Sequence, residues 1–164
     1  MATIESIRAE FDHETQTTRR HLERVPADRL DWQPHAKSST LIALASHIVD
    51  CIGWVEPIFG GDELDIIPAT FKPYSASNVI ELMEGFEQRV ALGHRALAAA
   101  SDVDLQRLWR LKFKGRVRFE KPRDVVLRDF TLSHLIHHRG QLTVYLRLLD
   151  VPVPGSYGPT ADER

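Results

Sequence analysis

The chain contains very little cysteine, since Cys51 is the only one among its 164 residues. A single cysteine excludes an internal disulfide and a cysteine-based zinc knuckle. The chain also lacks long apolar runs, because no stretch approaches the 18 residues of a membrane span. Residues 1–10 have no hydrophobic core of the kind found in signal peptides. We therefore expect a protein of the reducing cytoplasm with no membrane partner.

An excess of one charge sign is absent as well. The chain has 21 Lys and Arg against 23 Asp and Glu, for a formal net charge of -2, and no long block of one sign. This balance argues against a nucleic-acid partner. A hydrophobic content of 43% and a charged content of 27% are ordinary for a globular protein. The length predicts a single domain over residues 1–164, large enough for a hydrophobic core.

Apolar residues that recur every three or four positions predict four long amphipathic helices. The predicted ranges are 2–24, 40–56, 77–100 and 122–149. Pro26 ends the first helix, because a proline disfavours helix in the residue before it. Ser39 is a suitable N-cap for the second helix, and Pro122 fits the first turn of the last.

The connections between these helices are long and poor in periodicity. Residues 27–38 and 60–74 contain prolines and predict irregular loops. Residues 108–120 alternate weakly around Lys114, Gly115 and Arg116, a pattern that fits either a short hairpin or an extended loop. With no convincing sheet, the predicted fold class is all-α, a four-helix bundle with long inter-helix loops.

Histidine is the residue type that the chain has in excess, with eight in all. His134 and His138 lie four residues apart, so on a helix they point the same way. Two imidazoles at this spacing can hold one divalent metal, although an amphipathic helix can also carry such a pair at its polar boundary. The metal interpretation is favoured because the pair lies among Leu135 and Ile136, where burying an unpartnered imidazole is costly.

A third imidazole, His47, lies in the apolar second helix. Alone it would more often be a hydrogen-bonded core residue than a ligand. Together with the pair it makes three ligands, the number that catalytic zinc sites use while leaving one position open. His137 competes with His138, but the four-residue spacing aligns better with His134. Gln141 shares their helix face and could orient a bound water or ligand.

Other polar residues have more than one interpretation. Asp50 and Glu14 could accept hydrogen bonds from ligating imidazoles, although Asp50 also fits a solvated surface position. Arg139 fits a structural ion pair better than an anion-binding role. Cys51 has no base at an obvious spacing, which favours a buried core thiol over a nucleophile. The histidines predicted to lie on the surface or in loops are His13, His21, His35 and His94.

The C-terminal motif resembles the DinB family of damage-inducible bacterial proteins. It reads His134-Leu-Ile-His137-His138-Arg-Gly-Gln141-Leu, followed by Tyr145, Val151-Pro152 and Tyr157-Gly158. Upstream, the segments 22–26, 30–34 and 44–48 are also similar to the family. The resemblance covers most of the chain and is most specific in the C-terminal motif.

The resemblance implies a four-helix bundle of DinB/YfiT type that binds a divalent metal through His47, His134 and His138. Zinc or nickel is expected, with iron or manganese as alternatives. The resemblance also implies a homodimer. The wider superfamily includes thiol S-transferases that use bacillithiol or mycothiol, in which the metal binds the sulfur of this low-molecular-weight thiol.

Three functions remain open at this point. The first is a metal-dependent thiol S-transferase that passes a small thiol to an electrophile in stress or detoxification. The second is a metal-dependent hydrolase, which is weakened because no glutamate lies between the paired histidines as it does in zinc proteases. The third is a non-catalytic, metal-binding stress-response dimer, which a fourth protein ligand would favour because structural zinc is usually four-coordinate.

Overall fold

The computed structural model describes residues 2–163, in which helices and a small sheet alternate along the chain. The α-helices are α1 (Ile4–Leu22), α2 (Leu41–Gly53), α3 (Val55–Gly60), α4 (Val79–Ala99), α5 (Asp102–Gln106), α6 (Arg123–Leu127) and α7 (Ser133–Leu148). The strands are β1 (Glu63–Ile66), β2 (Leu108–Phe113) and β3 (Arg116–Pro122). A π-helical segment, Arg128–Leu132, joins α6 to α7, and a 3-10 turn covers Ala161–Glu163.

All four predicted helical ranges are found as helices, and side-chain caps explain where three of them begin. Thr3, Thr40 and Asn78 each accept a hydrogen bond from a backbone N–H in the first turn of α1, α2 and α4. Such caps satisfy donors that have no partner within the helix. The second helix is therefore capped by Thr40 and not by the predicted Ser39.

The long helices α1, α2, α4 and α7 share the main hydrophobic core. Helices α1 and α2 each pack against both α4 and α7, and α2 supplies eight buried residues. Gly93 lets α4 approach α1 closely, because a Cβ there would lie 2.6 Å from the ring of Phe11. The stretch Leu41–Gly60, although Asp50 and Glu56 interrupt it, is apolar enough on average and long enough to cross a membrane by length and composition alone. More than half of its most apolar window is buried in this core. That burial is what a core helix requires.

The predicted all-α class, a pure four-helix bundle, is wrong because the chain also forms a three-stranded sheet of order β1-β2-β3. Strand β2 pairs antiparallel with β3 across a tight turn at Lys114 and Gly115, whose φ angles are 51° and 74°. Left-handed residues at both central positions are typical of a two-residue hairpin. Strand β1 lies in the connection predicted to be irregular and pairs parallel with β2.

The sheet forms because one of its faces has a small hydrophobic core of its own. Trp109 and Leu111 of β2 pack with Ile58 of α3 and Val126 of α6. The indole N–H of Trp109 donates to the carbonyl of Pro57 at 3.0 Å. Burying these alternate residues stabilises the hairpin against the helices.

The last predicted helix is one continuous helical run in which the π-helical segment interrupts the α-helical hydrogen bonding. A π-turn adds a residue to the turn and so rotates everything that follows relative to what precedes it. The segment ends at Leu132, two residues before His134. It therefore sets the direction in which α7 presents its histidines.

Candidate metal centre

Helices α2 and α7 bring the three predicted imidazoles together. The ring centroid of His47 lies 5.0 Å from that of His134 and 4.5 Å from that of His138. The rings of His134 and His138 are 4.7 Å apart, as their four-residue spacing requires. The Nε2 atoms of His47 and His134 are 3.3 Å apart. Two nitrogen atoms at this distance face the same small volume.

The surroundings keep these imidazoles neutral. Burial lowers the pKa of His47, and repulsion from His138 lowers it further. Burial is also the largest cause of the lowered pKa of His134 and of His138. A neutral imidazole has a free lone pair, and this is the form that binds metal ions. The cluster therefore favours the ligating state over the protonated one.

His138 and His134 each form a hydrogen bond besides their contact with His47. The side-chain oxygen of Gln141 accepts a hydrogen bond from Nδ1 of His138 at 2.7 Å, which leaves Nε2 of His138 as the free nitrogen. The amide nitrogen of Gln141 donates to Nε2 of His137 at 3.1 Å, and His137 is exposed. His134 hydrogen-bonds with the backbone of Phe130. Such contacts orient metal-binding imidazoles.

Cys51 lies one turn after His47 on α2 and belongs to the same cluster. Ligand atoms of His47, Cys51 and His134 lie within 4.8 Å of one another, so this group could hold a metal ion. His138 is not part of that group, although its ring is closer to His47 than the ring of His134 is. The predicted burial of Cys51 is confirmed, and burial raises the pKa of its thiol to about 12.

The position of Cys51 beside the imidazoles was missed by sequence analysis. The available signal was its four-residue spacing from His47 on one helix, which places both side chains on one face. That spacing carried little weight, because a small buried thiol is a common core residue.

A cavity of about 490 Å³ opens beside the cluster. His47 and His138 form part of its wall, together with Gln141 and Tyr145. The three histidines are partly exposed, whereas Cys51 is buried. A small molecule can therefore approach the imidazoles from this cavity.

The two carboxylates considered as imidazole partners are engaged elsewhere. Glu14 is buried and pairs with Arg139 at 2.7 Å, which confirms the predicted structural ion pair of Arg139. The Tyr157 hydroxyl donates to Glu14 at 2.9 Å. Asp50 accepts a hydrogen bond from the backbone N–H of Tyr74 at 3.0 Å. Glu14 therefore binds Arg139 of α7 and is not a partner of the imidazoles.

The remaining histidines are placed as predicted in three cases out of four. His13, His35 and His94 are exposed. The prediction for His21 is wrong, because this residue is fully buried and its Nδ1 atom lies 2.8 Å from the carbonyl oxygen of Thr17. Its burial depends on the C-terminal residues that cover it, including Ser156, whose hydroxyl is 3.3 Å from Nε2.

The chain and its fold have clear relatives. The model of the DinB family matches residues 1–164, so the chain belongs to the DinB family. The uncharacterized protein YrdA of Bacillus subtilis strain 168 is 26% identical over 165 residues, which cover 98% of this chain and 92% of YrdA.

Two solved structures are also similar. A DinB-like protein from Bacillus cereus ATCC 10987 has a TM-score of 0.76 and 27% identity, and the match covers 94% of this chain and 98% of that one. The DinB-like protein YjoA of Bacillus subtilis has a TM-score of 0.68 and 18% identity, with 90% and 96% of the two chains covered. The likeness to YjoA is one of fold alone.

Proposed function

We propose that this DinB-family protein binds one divalent metal ion through His47, His134 and His138 and acts as a metal-dependent thiol S-transferase. The observation that supports the site is the convergence of three imidazole rings from two helices, with centroids 4.5–5.0 Å apart. Zinc or nickel suits such a nitrogen donor set. Three protein ligands leave a coordination position for a substrate atom.

The chain's own residues contribute orientation and access. Gln141 fixes the tautomer of His138, so that Nε2 is free to bind. The cavity beside the cluster admits a small molecule between α2 and α7. A bound divalent cation would lower the pKa of a coordinated thiol and so favour the thiolate nucleophile at neutral pH.

The transfer itself is a displacement. A sulfur lone pair of the thiolate forms the new bond to the electrophile, and the bond to the leaving group breaks with its electron pair. The thiol proton passes to solvent. A low-molecular-weight thiol of the bacillithiol or mycothiol type is the proposed donor. Cys51 does not serve as the nucleophile, because its raised pKa keeps the buried thiol protonated.

The first test is the metal content of protein purified without an affinity tag, measured by mass spectrometry. We expect about one metal ion per chain in the wild type and none in His138→Ala. His137→Ala is the matched control, because His137 is the exposed neighbour, and it should keep the metal. If His137→Ala lost the metal and His138→Ala kept it, the proposed ligand set would be wrong.

The second test is turnover of L-cysteine with 1-chloro-2,4-dinitrobenzene, followed by absorbance of the thioether product. The metal-loaded protein should accelerate the reaction, and chelation should abolish the acceleration. A site that holds metal but accelerates neither this reaction nor one with a bacillithiol-type donor would exclude the transferase while leaving the metal site intact.

A non-catalytic metal-binding protein of the stress response is the second candidate, and the position of Cys51 favours it. The sulfur of Cys51 lies within 4.8 Å of ligand atoms of His47 and His134. If a bound metal displaced the thiol proton, this sulfur together with the three imidazoles would make a closed, four-coordinate site of the structural type. Cys51→Ala separates the two functions, because an open three-histidine site keeps its metal in this variant. Loss of the metal from Cys51→Ala would favour the structural role.

The hydrolase is not favoured by the structure. It needs a general base near the histidines, for which a carboxylate was the candidate. Glu14, which was the candidate, is buried in an ion pair with Arg139 and accepts the hydrogen bond of Tyr157. Among residues 2–163, the group that could hold a metal contains no carboxylate.

A further inference from the structure

A second cavity, of about 250 Å³, lies between α2, α3 and α4. Its apolar part is formed by the rings of Trp54 and Phe71, whose centroids are 6.5 Å apart. Trp54 also contacts the ring of Phe130, one turn before His134. Pockets for drug-sized ligands measure roughly 300–1,000 Å³. This cavity therefore suits a smaller molecule.

Arg89 is held in place at the wall of this cavity. Its guanidinium lies 4.0 Å from the centroid of the Tyr74 ring, and one of its nitrogens donates to the carbonyl of Gly85 at 3.3 Å. Gly53 of α2 leaves room for it, because a Cβ there would lie 3.2 Å from Nε of Arg89. Arg89 thus packs against α2, α4 and the Tyr74 ring at once.

The guanidinium of Arg89 is not neutralised. In the part of the chain that the structure describes, Arg89 forms no ion pair with Asp or Glu. A guanidinium has five N–H donors in a planar fork, which matches the two oxygens of a carboxylate. A positioned, unpaired arginine beside aromatic rings is a suitable site for an organic anion.

Carboxylates line the same cavity, and they narrow the class of ligand. Asp50 uses one oxygen to accept the Tyr74 N–H, and Glu56 is exposed. A purely anionic ligand would be repelled by these groups, and a purely cationic one by Arg89 and the exposed Lys72. A molecule that carries both charges can pair its cation with the carboxylates and its anion with the basic side chains.

We propose that this cavity binds a free α-amino acid with an aromatic or large apolar side chain. The carboxylate of the ligand pairs with Arg89, its ammonium group pairs with Asp50, and its side chain lies against Trp54 and Phe71. The proposal goes beyond the metal site and does not depend on it, because none of these contacts requires a metal ion.

The test compares three probes that share a phenyl ring and differ in charge: L-phenylalanine, 3-phenylpropionate and phenethylamine. Binding to the metal-free, full-length protein is measured by isothermal titration calorimetry. We expect L-phenylalanine to bind at least about tenfold more tightly than either singly charged probe, the lower end for a charge-assisted hydrogen bond. Equal affinity for L-phenylalanine and 3-phenylpropionate, or no binding of any probe, would overturn the proposal.

Two variants assign the site. Arg89→Gln should weaken L-phenylalanine by at least about tenfold and leave phenethylamine nearly unchanged. Gly53→Ala should weaken the binding of L-phenylalanine by less than Arg89→Gln does, because the added methyl would lie 3.2 Å from Nε of Arg89 and shift it only slightly. The matched control is Arg95→Gln, which removes an exposed arginine of α4 that does not line the cavity. Unchanged affinity in Arg89→Gln would refute the assignment.

The metal site and the amino-acid site can be tested independently of each other. His138→Ala should lose the metal and still bind L-phenylalanine, because His138 does not line this cavity. A circular dichroism melt of each variant confirms that it is folded. Loss of L-phenylalanine binding in folded, metal-free His138→Ala would contradict a cavity that works without the metal.

Discussion

His138 and Arg139 are neighbours on α7, yet they belong to clusters of different chemistry: His138 lies among neutral imidazoles, and Arg139 lies in a buried ion pair. Arg139 faces α1, where its guanidinium pairs with Glu14 and also reaches Thr18 at 3.2 Å. The Tyr157 hydroxyl connects the two charges, since it accepts from Arg139 at 2.8 Å and donates to Glu14. Arg139 and Glu14 are 1% and 5% exposed. Every charge in this cluster has its complement.

The histidine cluster on the other side of α7 has no buried ion pair of this kind among residues 2–163, and the carboxylate of Asp50 only partly offsets the lowered pKa of His47 and His134. The Nε2 atoms of His47 and His134 lie 3.3 Å apart, and the ring of His138 packs against both of their rings. Among residues 2–163, the group that could hold a metal contains no carboxylate. An imidazole nitrogen without a proton can accept a hydrogen bond or bind a cation. The contrast suggests that the Arg139 cluster fixes α7 and that the histidine cluster, held in place by it, is available for binding.

The largest expected effect is the loss of stability when one buried charge loses its partner. Glu14→Gln leaves Arg139 buried without a counter-charge, so we expect the free energy of unfolding to fall by about 3–5 kcal/mol. Urea denaturation measures the change. The control is Glu10→Gln, which breaks the exposed pair with Arg128 and should cost at most about 1 kcal/mol. Equal losses in the two variants would show that the Arg139 cluster does not fix α7.

The second effect tests the opposite cluster by adding a cation. Zinc at a concentration 100 times its dissociation constant should raise the free energy of unfolding of the wild type by about 2.7 kcal/mol, because it binds the folded state. Thermal unfolding with zinc and then with a chelator measures the gain. His47→Ala should show none, whereas His94→Ala, at an exposed position, should behave as the wild type. A gain that survives in His47→Ala would place the metal elsewhere.

The third effect removes the hydroxyl that links the two charges of the Arg139 cluster. Tyr157→Phe keeps the ring, which stacks on His13, but leaves Glu14 and Arg139 each without one hydrogen bond. We expect a loss of about 1.5–3 kcal/mol in urea denaturation, the range for hydrogen bonds to charged groups.

A double-mutant cycle sharpens this result. In the Glu14→Gln background, Tyr157→Phe should cost less than it does in the wild type, because the charged acceptor is already gone. Additive losses would mean that Tyr157 acts on stability through its ring contacts and not through the ion pair.

Features that depend on local spacing could be predicted from the sequence, whereas contacts between distant segments could not. The helical ranges and the facing of His134 and His138 follow from spacings of three and four residues, which are local properties of a helix. That Glu14 is the partner of Arg139 depends on α1 packing against α7, which no local spacing reports. For the same reason the burial of His21 by the C-terminal residues could not be foreseen.

The hairpin of β2 and β3 was one of two alternatives for residues 108–120, whereas strand β1 was missed for a related reason. Strand β1 has only four residues, in a connection rich in prolines, and its register places Glu63 opposite Arg110. A parallel pairing over that separation leaves no turn signal in the sequence, unlike the hairpin at Lys114 and Gly115. Trp109 and Leu111 of β2 are buried against α3 and α6. This packing, and not the residue pattern of β1, determines that β1 pairs with β2.

The smallest effect concerns His21, a buried imidazole on the Arg139 side. Burial lowers its pKa from 6.5, and the positive charges of Arg139 and Arg20 lower it further, against the hydrogen bond to Thr17. The unfolded chain therefore binds more protons than the folded one just below pH 6.5. Its contribution to stability is fully present above pH 6.5 and is lost as the pH falls towards the lowered pKa.

Thus His21→Gln should lose less stability than the wild type over this pH interval, as measured by urea denaturation of chelator-treated protein. The control His35→Gln, at an exposed position, should follow the wild type. If His21→Gln were as acid-sensitive as the wild type, the protonation cost would lie in the metal-free histidine cluster, whose three imidazoles also have lowered pKa values.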